Sequence, residues 1–166
     1  GAGAIGQTHA KTISTTAGFE LAGIADPFES GAKLAAAHDT RHHFDHRALI
    51  DAERPDAAIV GTPNEFHVSQ ALDFIAAGIP VLVEKPVATT FDQATQLVEA
   101  SESSGVPVLV GHHRRYHPVA VRAKEIISSG GLGRIVAAST TYFLLKPEEY
   151  FDIPWHRAAG TGGTFL

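Results

Sequence analysis

Short apolar segments alternate with longer amphipathic segments along the first two thirds of the chain. The apolar segments, such as AAIVG at 57–61 and PVLVE at 80–84, are nearly continuous, which is typical of strands buried on both faces of a sheet. The segments between them place residues at helical spacing, as Ile5, His9 and Ile13 do near the start. We predict strands over 19–25, 42–44, 57–61, 80–84 and 106–110, and further helices over 30–38, 46–52, 65–77, 90–103 and 116–129.

This alternation of strands and helices predicts an α/β fold, a doubly wound parallel sheet with helices on both faces. The pattern changes near residue 112. Residues 135–145 read IVAASTTYFLL, an alternating segment that suits a strand of a different, antiparallel sheet. The charge also changes there, from net negative over 1–110 to net positive over 111–166. We therefore predict one domain over 1–112 and the beginning of a second, α+β domain with an open, mainly antiparallel sheet over 113–166.

The composition excludes several classes of protein. With 44% hydrophobic and 19% charged residues, the chain has the composition of a folded globular protein and not of a disordered one. The net charge of −5 argues against a basic surface for nucleic acid, and the absence of cysteine excludes disulfides and thiolate chemistry. No apolar run approaches the ~20 residues that a membrane span requires, and no signal peptide is recognisable. A cytoplasmic protein without a membrane partner is expected.

The first six residues spell the glycine pattern G-x-G-x-x-G ahead of the first predicted helix. In a dinucleotide-binding loop, Gly1 would allow the tight turn, Gly3 would let the backbone approach a pyrophosphate, and Gly6 would let the helix pack closely on the sheet. The start of the helix, at Ala4 and Ile5, would direct free N–H groups and a partial positive charge at the phosphates. The pattern therefore predicts a Rossmann-type domain that binds a dinucleotide.

An acidic residue stands at the expected distance from this loop. Asp26 follows Gly6 by twenty positions and ends the next predicted strand, where its carboxylate could accept hydrogen bonds from a ribose diol. The same charge would repel a 2′-phosphate, which favours NAD over NADP as the cofactor. The motif begins at Gly1 with no strand before it, so we interpret the chain as an internal fragment of a longer enzyme that lacks the first strand of its sheet.

Three later strand ends also carry polar residues, and the carboxyl ends of parallel strands form a common crevice for ligands. Lys85 is the most informative of these residues, because it precedes Pro86 and is therefore biased towards an extended conformation at the mouth of the sheet. A bound cationic nicotinamide would favour loss of the lysine proton, and the resulting amine could take a proton from an alcohol as hydride leaves. A solvated turn at a strand end is the alternative interpretation. The remaining candidates are Thr62, Pro63, Asn64 and His67 after the third strand, Glu84 beside Lys85, and His113 and Arg115 after the last strand.

The ten histidines are candidate metal ligands because imidazole binds zinc. His113 and His117 have i, i+4 spacing, but Pro118 argues against a helix before it, and few acidic residues lie nearby. We predict no metal site. His9 is interpreted as a structural helix residue, and His67 is expected near the cofactor.

Five motifs in this order closely resemble the Gfo/Idh/MocA oxidoreductases: GxGxxGxxHA at 1–10, DP at 26–27, TPNxxH at 62–67, EKP at 84–86 and GxxxRYxP at 111–118. The resemblance implies a Rossmann domain that binds NAD or NADP, followed by a domain for substrate binding and oligomerisation. It also implies a sugar or polyol as the substrate, a homo-oligomeric whole protein, and Lys85 as the catalytic acid/base, often before a cis proline.

The end of the chain carries the last part of this resemblance. Trp155 and Arg157 match a family segment near the active site, and the family usually has an Asp/His pair beyond it, which this chain does not reach. The fragment alone is therefore expected to be inactive. The resemblance also implies a place in substrate binding for Trp155, Arg157, His113 and Arg115, although His113 stands where the family often has Asn. An NAD-using glycosidase of the same family and a non-catalytic cofactor-binding regulator remain as alternatives.

Overall fold

The structure is a computed structural model, which describes residues 1–152. Its regular elements alternate along the chain as the hydrophobic pattern predicts. The strands are β1 (Gly23–Ala25), β2 (Arg41–His43), β3 (Ala58–Val60), β4 (Val81–Val83) and β5 (Val108–Val110). The helices are α1 (Ala4–Thr15), α2 (Glu29–Ala37), α3 (His46–Glu53), α4 (His67–Ala76), α5 (Phe91–Ser104) and α6 (Pro118–Ser128), with 3-10 helices at Asn64–Phe66, His113–Tyr116 and Glu148–Asp152.

The strands form two parallel sheets. β1 pairs with β2, and a three-stranded sheet has the order β3-β4-β5. In the larger sheet Val60 lies opposite Val83, and Val83 lies opposite Val110, so the three strands end at the same level. The residues that follow these three strand ends therefore lie side by side. In both sheets we call the boundary where the strands end the carboxyl edge.

The glycine loop before α1 lies between the carboxyl edges of the two sheets. The amino group of Gly1 donates a hydrogen bond of 2.8 Å to the carbonyl oxygen of Ala25, at the end of β1. On its other side, a Cβ atom added to Gly1 would lie 2.8 Å from the carbonyl oxygen of Gly61, just after β3. The loop thus touches both sheets at once, and only a residue without a side chain fits this approach.

Local signals fix several helix boundaries. Asp45 caps α3 by accepting a hydrogen bond of 2.9 Å from the N–H group of Ala48, and Thr90 caps α5 in the same way. Gly105 ends α5 in the left-handed region with φ of 71°. Pro118 occupies the first turn of α6, where its missing N–H group costs no helical hydrogen bond.

The hydrophobic core lies within the α/β region. α4 and α5 pack together. The main cluster joins α3, α4 and α5 to the larger sheet through Leu49, Val60, Val68, Ala71, Phe74, Ile75, Ile79, Val81, Val83 and Leu97. A smaller cluster of Ala10, Ile24 and Ala35 joins α1 and α2 to β1. The larger sheet therefore packs against more buried side chains than the two-stranded sheet does.

The parallel α/β architecture confirms the predicted Rossmann-type fold class, although each strand is three residues long and shorter than most of the predicted ones. The predicted strand over 135–145 is wrong for this structure, because no neighbouring strand hydrogen-bonds to these residues, and they are exposed. Residues 112–149 are exposed throughout. Within residues 1–152, no helix combines the length and apolar character that crossing a membrane requires.

Candidate cofactor and catalytic site

The start of α1 is open and suited to an anion. Gly3 precedes the helix and contributes no capping side chain, and Gly3, Ala4 and Ile5 are exposed. A Cβ atom on Gly3 would meet no atom within 4 Å, whereas one on Gly6 would overlap the carbonyl group of Gly1. The first N–H groups of α1 therefore face free space on one side, while Gly6 is closed against the loop on the other.

Asp26 lies at the end of β1, is 8% exposed, and is fixed by the glycine loop. Its Oδ2 accepts a hydrogen bond of 2.7 Å from the N–H group of Ala2. Its Oδ1 accepts bonds of 2.9 Å from the N–H group of Phe28 and 3.4 Å from the hydroxyl of Ser30. A carboxylate has about four lone-pair positions, so capacity for a further hydroxyl donor remains.

The loop after β3 lies beside the glycine loop. The hydroxyl of Thr62 donates a hydrogen bond of 2.9 Å to the side-chain oxygen of Gln70. Pro63 is half-buried and Asn64 is buried, so this loop is packed rather than projecting into solvent. His67 begins α4 and is 1% exposed, with Nε2 2.8 Å from the carbonyl oxygen of Thr62. Its contact with a cofactor stays a prediction.

Glu84 follows β4 directly and is 6% exposed. Its Oε1 lies 2.9 Å from Nε2 of His9 in α1, and its Oε2 accepts a hydrogen bond of 3.2 Å from the N–H group of Lys85. Gly111 follows β5 on the neighbouring strand, and a Cβ atom there would lie 2.8 Å from the carboxyl carbon of Glu84. Three structural elements therefore enclose this carboxylate.

Lys85 differs from its neighbour in both exposure and contacts. It is exposed, and its ammonium group has no hydrogen-bond or ion-pair partner within residues 1–152. The Lys85-Pro86 peptide bond is cis, as the resemblance implies. The cationic side chain of Lys85 therefore lies at the carboxyl edge, and its main chain is held by the buried Glu84.

Sequence reasoning did not find the role of two residues of this site. It treated His9 as structural, yet the ring of His9 contacts the carboxylate of Glu84. It named Gly111 as the first residue of the GxxxRYxP motif but gave it no role, yet this residue leaves the space that the same carboxylate occupies. The contact of Gly111 could have been predicted, because Gly111 directly follows the predicted strand 106–110 and Glu84 ends the predicted strand before it.

The candidates for substrate binding lie further along the chain. His113 and Arg115 belong to the 3-10 helix after β5, and both are exposed. The structure does not bring them into a hydrogen bond or ion pair with Lys85. Trp155 and Arg157 lie outside the described residues. The roles of all four stay predictions.

Two histidines of the segment at 42–46 lie against carboxylates. His43 lies 2.8 Å from Glu53, and His46 lies 2.6 Å from Asp73. Across residues 1–152, no group of three or more acidic, cysteine or histidine side chains is arranged to hold a metal ion.

Comparison with known proteins agrees with this geometry. The sequence profile of a family described as "Oxidoreductase family, NAD-binding Rossmann fold" matches residues 1–112, which include the glycine loop, Asp26 and the residues around Lys85. The chain belongs to the Gfo/Idh/MocA oxidoreductase family. The family's NAD-binding Rossmann fold is the α/β region described above.

Two relatives within the Gfo/Idh/MocA family show how much of a complete protein the chain covers. It is 38% identical over 138 residues to inositol 2-dehydrogenase 2 of Saccharopolyspora erythraea, covering 81% of this chain and 41% of the relative. It is 29% identical over 166 residues to the rhizopine catabolism protein MocA of Rhizobium meliloti, covering 100% and 51%. The chain thus spans about half the length of the curated relatives it matches.

A solved structure of the Gfo/Idh/MocA fold is also similar. The WlbA dehydrogenase from Bordetella pertussis, in complex with NADH and UDP-GlcNAcA, superposes with a TM-score of 0.88 and 29% identity. The match covers 93% of this chain and 46% of WlbA.

Proposed function

We propose that the whole protein is an NAD-dependent dehydrogenase that oxidises or forms a secondary alcohol of a polyol or sugar, with Lys85 as the catalytic acid/base. One observation carries the proposal. Lys85 is exposed and unpartnered within the described residues, and it lies at the carboxyl edge where the strand end before it is aligned with those of β3 and β5. Ligands of open α/β sheets bind at this edge.

The residues of the glycine loop fit the cofactor. The open space at Gly3 and the uncapped start of α1 suit a pyrophosphate, because backbone N–H groups and the helix dipole favour an anion there. The loop after β3, with Thr62 and Pro63, would border the dinucleotide as it runs along the carboxyl edge. When bound, NAD supplies the hydride acceptor for alcohol oxidation.

Asp26 supports a preference for NAD over NADP. Its carboxylate is held in place by the N–H groups of Ala2 and Phe28, so it cannot swing away from an incoming nucleotide without breaking both bonds. A ribose diol would donate hydrogen bonds to it, whereas a 2′-phosphate would bring a like charge close to a buried carboxylate.

Lys85 supplies the proton-transfer step. In the oxidation direction, the alcohol O–H bond would break and its proton would pass to the lone pair of Lys85 Nζ. A hydride would leave the carbon that bears the hydroxyl for the acceptor that bound NAD would supply, and a C=O bond would form at that carbon. In the reduction direction, the Lys85 ammonium returns the proton to the carbonyl oxygen. The buried Glu84 keeps the main chain of Lys85 fixed through the hydrogen bond from the Lys85 N–H group.

The substrate class rests on the relatives. An inositol 2-dehydrogenase is 38% identical to this chain, and WlbA binds a nucleotide sugar, so both relatives act on or bind hydroxyl-rich molecules. The test is NADH formation by the whole protein with NAD and a panel of myo-inositol, scyllo-inositol, aldoses and glycosides. We expect NADH with at least one free polyol or sugar, and not with simple alkanols.

Other outcomes of this experiment would replace the proposal. Cleavage of a glycoside with no net NADH would identify an NAD-using glycosidase. Tight NAD binding without any product from the whole panel would favour a regulatory cofactor-binding protein. Equal rates with NAD and NADP would contradict the role given to Asp26.

We further propose that the division near residue 112 is a domain boundary. All the buried side chains of residues 1–152 precede it, and the residues from 112 to 149 are exposed. Limited proteolysis of the whole protein tests this, with the first cleavage expected close to the boundary and protection of 1–111.

A further inference from the structure

Two histidines from different helices contact the residues on either side of Lys85. His9 of α1 contacts Glu84, which precedes Lys85, and His67 at the start of α4 contacts Pro86, which follows it. The proton transfer proposed above uses neither ring directly.

On the first side, Glu84 is held at three atoms. Its N–H group donates a hydrogen bond of 2.9 Å to the carbonyl oxygen of Val60 in the neighbouring strand. Its carboxylate contacts His9 through one oxygen and accepts the Lys85 N–H group with the other. The neighbouring N–H group of Gly111 bonds to Val83, which completes the sheet beside it. The position of the Lys85 nitrogen is therefore set from α1 as well as from the sheet.

On the second side, the contact is a buried bridge. His67 is 1% exposed, with Nδ1 2.8 Å from the carbonyl oxygen of Pro86 and Nε2 2.8 Å from the carbonyl oxygen of Thr62. Carbonyl oxygens only accept, so the ring must be the donor. A neutral ring donates to one of the two oxygens, and a doubly protonated ring donates to both. His67 thus links the segment after β4 to the loop after β3.

The side chain of Lys85 has no polar partner of its own within the described residues. Its location depends on the main chain between Glu84 and Pro86. We propose that His9 and His67 are positioning residues that hold this main chain from both sides and so fix the Lys85 ammonium at the carboxyl edge. The inference rests on the proposed acid/base function of Lys85. A misplacement of about 1 Å can cost about 10²-fold in rate, so positioning of this kind is measurable.

The test compares variants of the whole enzyme with NAD and myo-inositol as the reactants. His67→Phe keeps a ring of similar size without nitrogen atoms, and His67→Gln keeps a donor. His38→Phe is the matched control, because its ring bonds to Ser14 at 3.0 Å in an exposed pair at the ends of α1 and α2 away from the carboxyl edge. We expect kcat to fall by up to about 10²-fold in His67→Phe and by less in His67→Gln. NAD affinity by calorimetry should stay within about twofold of the parent, and the control should match the parent in both constants.

His9→Phe, which removes the ring nitrogens that contact Glu84, tests the other side and keeps the proposal falsifiable if His67→Phe does not fold. The same fall in kcat with little change in NAD affinity is expected. A fall in NAD affinity with kcat preserved would assign His9 to cofactor binding and overturn its positioning role.

Crystal structures of the parent enzyme and His67→Phe provide a measurement that does not depend on turnover. We expect the Pro86 carbonyl and the Lys85 Nζ atom to move. An unchanged segment in the variant would overturn the proposal. Lys85→Met distinguishes failure of the proposed function from failure of the positioning role. If Lys85→Met keeps the parental rate, the proposed function is wrong. If Lys85→Met is slow and His67→Phe has the parental rate, only the positioning role is wrong.

Discussion

Two buried carboxylates lie at the carboxyl edge, and they are held in different ways. Asp26, after β1, accepts hydrogen bonds from the backbone N–H groups of Ala2 and Phe28. Glu84, after β4, is held by the side chain of His9 and by the N–H group of the next residue, Lys85. The carboxylate of Asp26 is thus bonded to the glycine loop. The carboxylate of Glu84 is bonded to the main chain of Lys85, and no lysine follows Asp26 directly.

Each carboxylate also has a glycine against it. A Cβ atom on Gly31 would lie 2.6 Å from Cβ of Asp26, and one on Gly111 would lie 2.8 Å from the carboxyl carbon of Glu84. A buried acidic side chain with a glycine packed beside it therefore occurs twice in the site, and we call the two parts the Asp26 half and the Glu84 half. On the proposed function, the Asp26 half binds the cofactor and the Glu84 half positions the proton-transfer group. Variants that affect one half should leave the other unchanged.

Lys85→Met should have the largest effect. The substitution keeps the length of the side chain but removes the proton acceptor, and groups of this kind contribute about 10²–10⁴-fold to rate. We expect kcat of the whole enzyme to fall by that factor while NAD affinity changes little, measured by steady-state kinetics and calorimetry. Loss of NAD affinity with the rate at saturating NAD preserved would instead make Lys85 part of the binding half.

Gly3→Val should have the largest effect on the binding half. The space beside Gly3 holds no protein atom within 4 Å of an added Cβ, and we assign that space to the pyrophosphate. Hydrogen bonds to a charged group are worth about 1.5–3 kcal/mol each, so blocking one should weaken NAD binding by roughly 10–150-fold. Gly3→Ala is the graded control and should lose less. Calorimetry showing unchanged affinity in Gly3→Val would remove the phosphate-loop assignment.

Gly111→Ala and Gly31→Ala form a matched pair. Each adds one methyl group against a buried acidic side chain, at Cβ of Asp26 for Gly31 and at the carboxylate of Glu84 for Gly111, and overpacking of this kind costs about 1–3 kcal/mol of stability. We expect both variants to melt earlier, with Gly111→Ala lowering kcat at saturating NAD and Gly31→Ala weakening NAD binding. If both variants changed the same constant, the two halves would not be separate.

Much of this edge could be predicted from the sequence, because its signals are local. The apolar run before Glu84 marks a buried strand, and parallel strands end together, so the placement of Lys85 followed from pattern alone. The partner of Glu84 could not be predicted in this way. His9 is 75 positions away, and their contact depends on how α1 crosses the sheet, which no local spacing encodes.

The strand predicted over 135–145 is a case in which a local pattern predicts an element that the structure does not contain. Its alternating sequence suits a pleated surface, yet a strand exists only where neighbours satisfy its hydrogen bonds. These residues are exposed and unpaired in a sheet within the described region. Beyond residue 112, pattern alone therefore does not determine the fold.

Asp26→Ser should have a moderate effect on cofactor choice. Removing the carboxylate removes an acceptor for the ribose diol and the like charge that opposes a 2′-phosphate. We expect the parent to prefer NAD, and the variant to lose about tenfold of that preference, the equivalent of about 1.4 kcal/mol. Calorimetric titration with both cofactors measures the ratio. Equal affinity for NAD and NADP in the parent would remove the assignment.

The smallest effect concerns a carboxylate outside both halves, Asp73 of α4. It accepts a hydrogen bond of 2.9 Å from Nε of Arg47 and lies 2.6 Å from Nε2 of His46, so it ties α3 to α4. Desolvation raises the pKa of Asp73, but the hydrogen bonds and charges of Arg47 and His46 outweigh it and hold the pKa below its ordinary value of 3.8.

The sign of the pH dependence follows from this depressed pKa. The ionised Asp73 contributes stability above its unfolded-state pKa near 3.8, and this contribution is lost as the pH falls through the folded-state pKa. The side chain is 31% exposed, so solvent screening limits the contribution to less than about 1 kcal/mol. We expect Asp73→Asn to lower the free energy of unfolding in urea by that amount at neutral pH, and by less as the parent's own carboxylate becomes protonated in acid. NAD affinity should not change, because Asp73 belongs to neither half of the site. A variant that lost NAD affinity would show that the α3–α4 contact supports the carboxyl edge, and NAD binding would then depend on residues outside the Asp26 half.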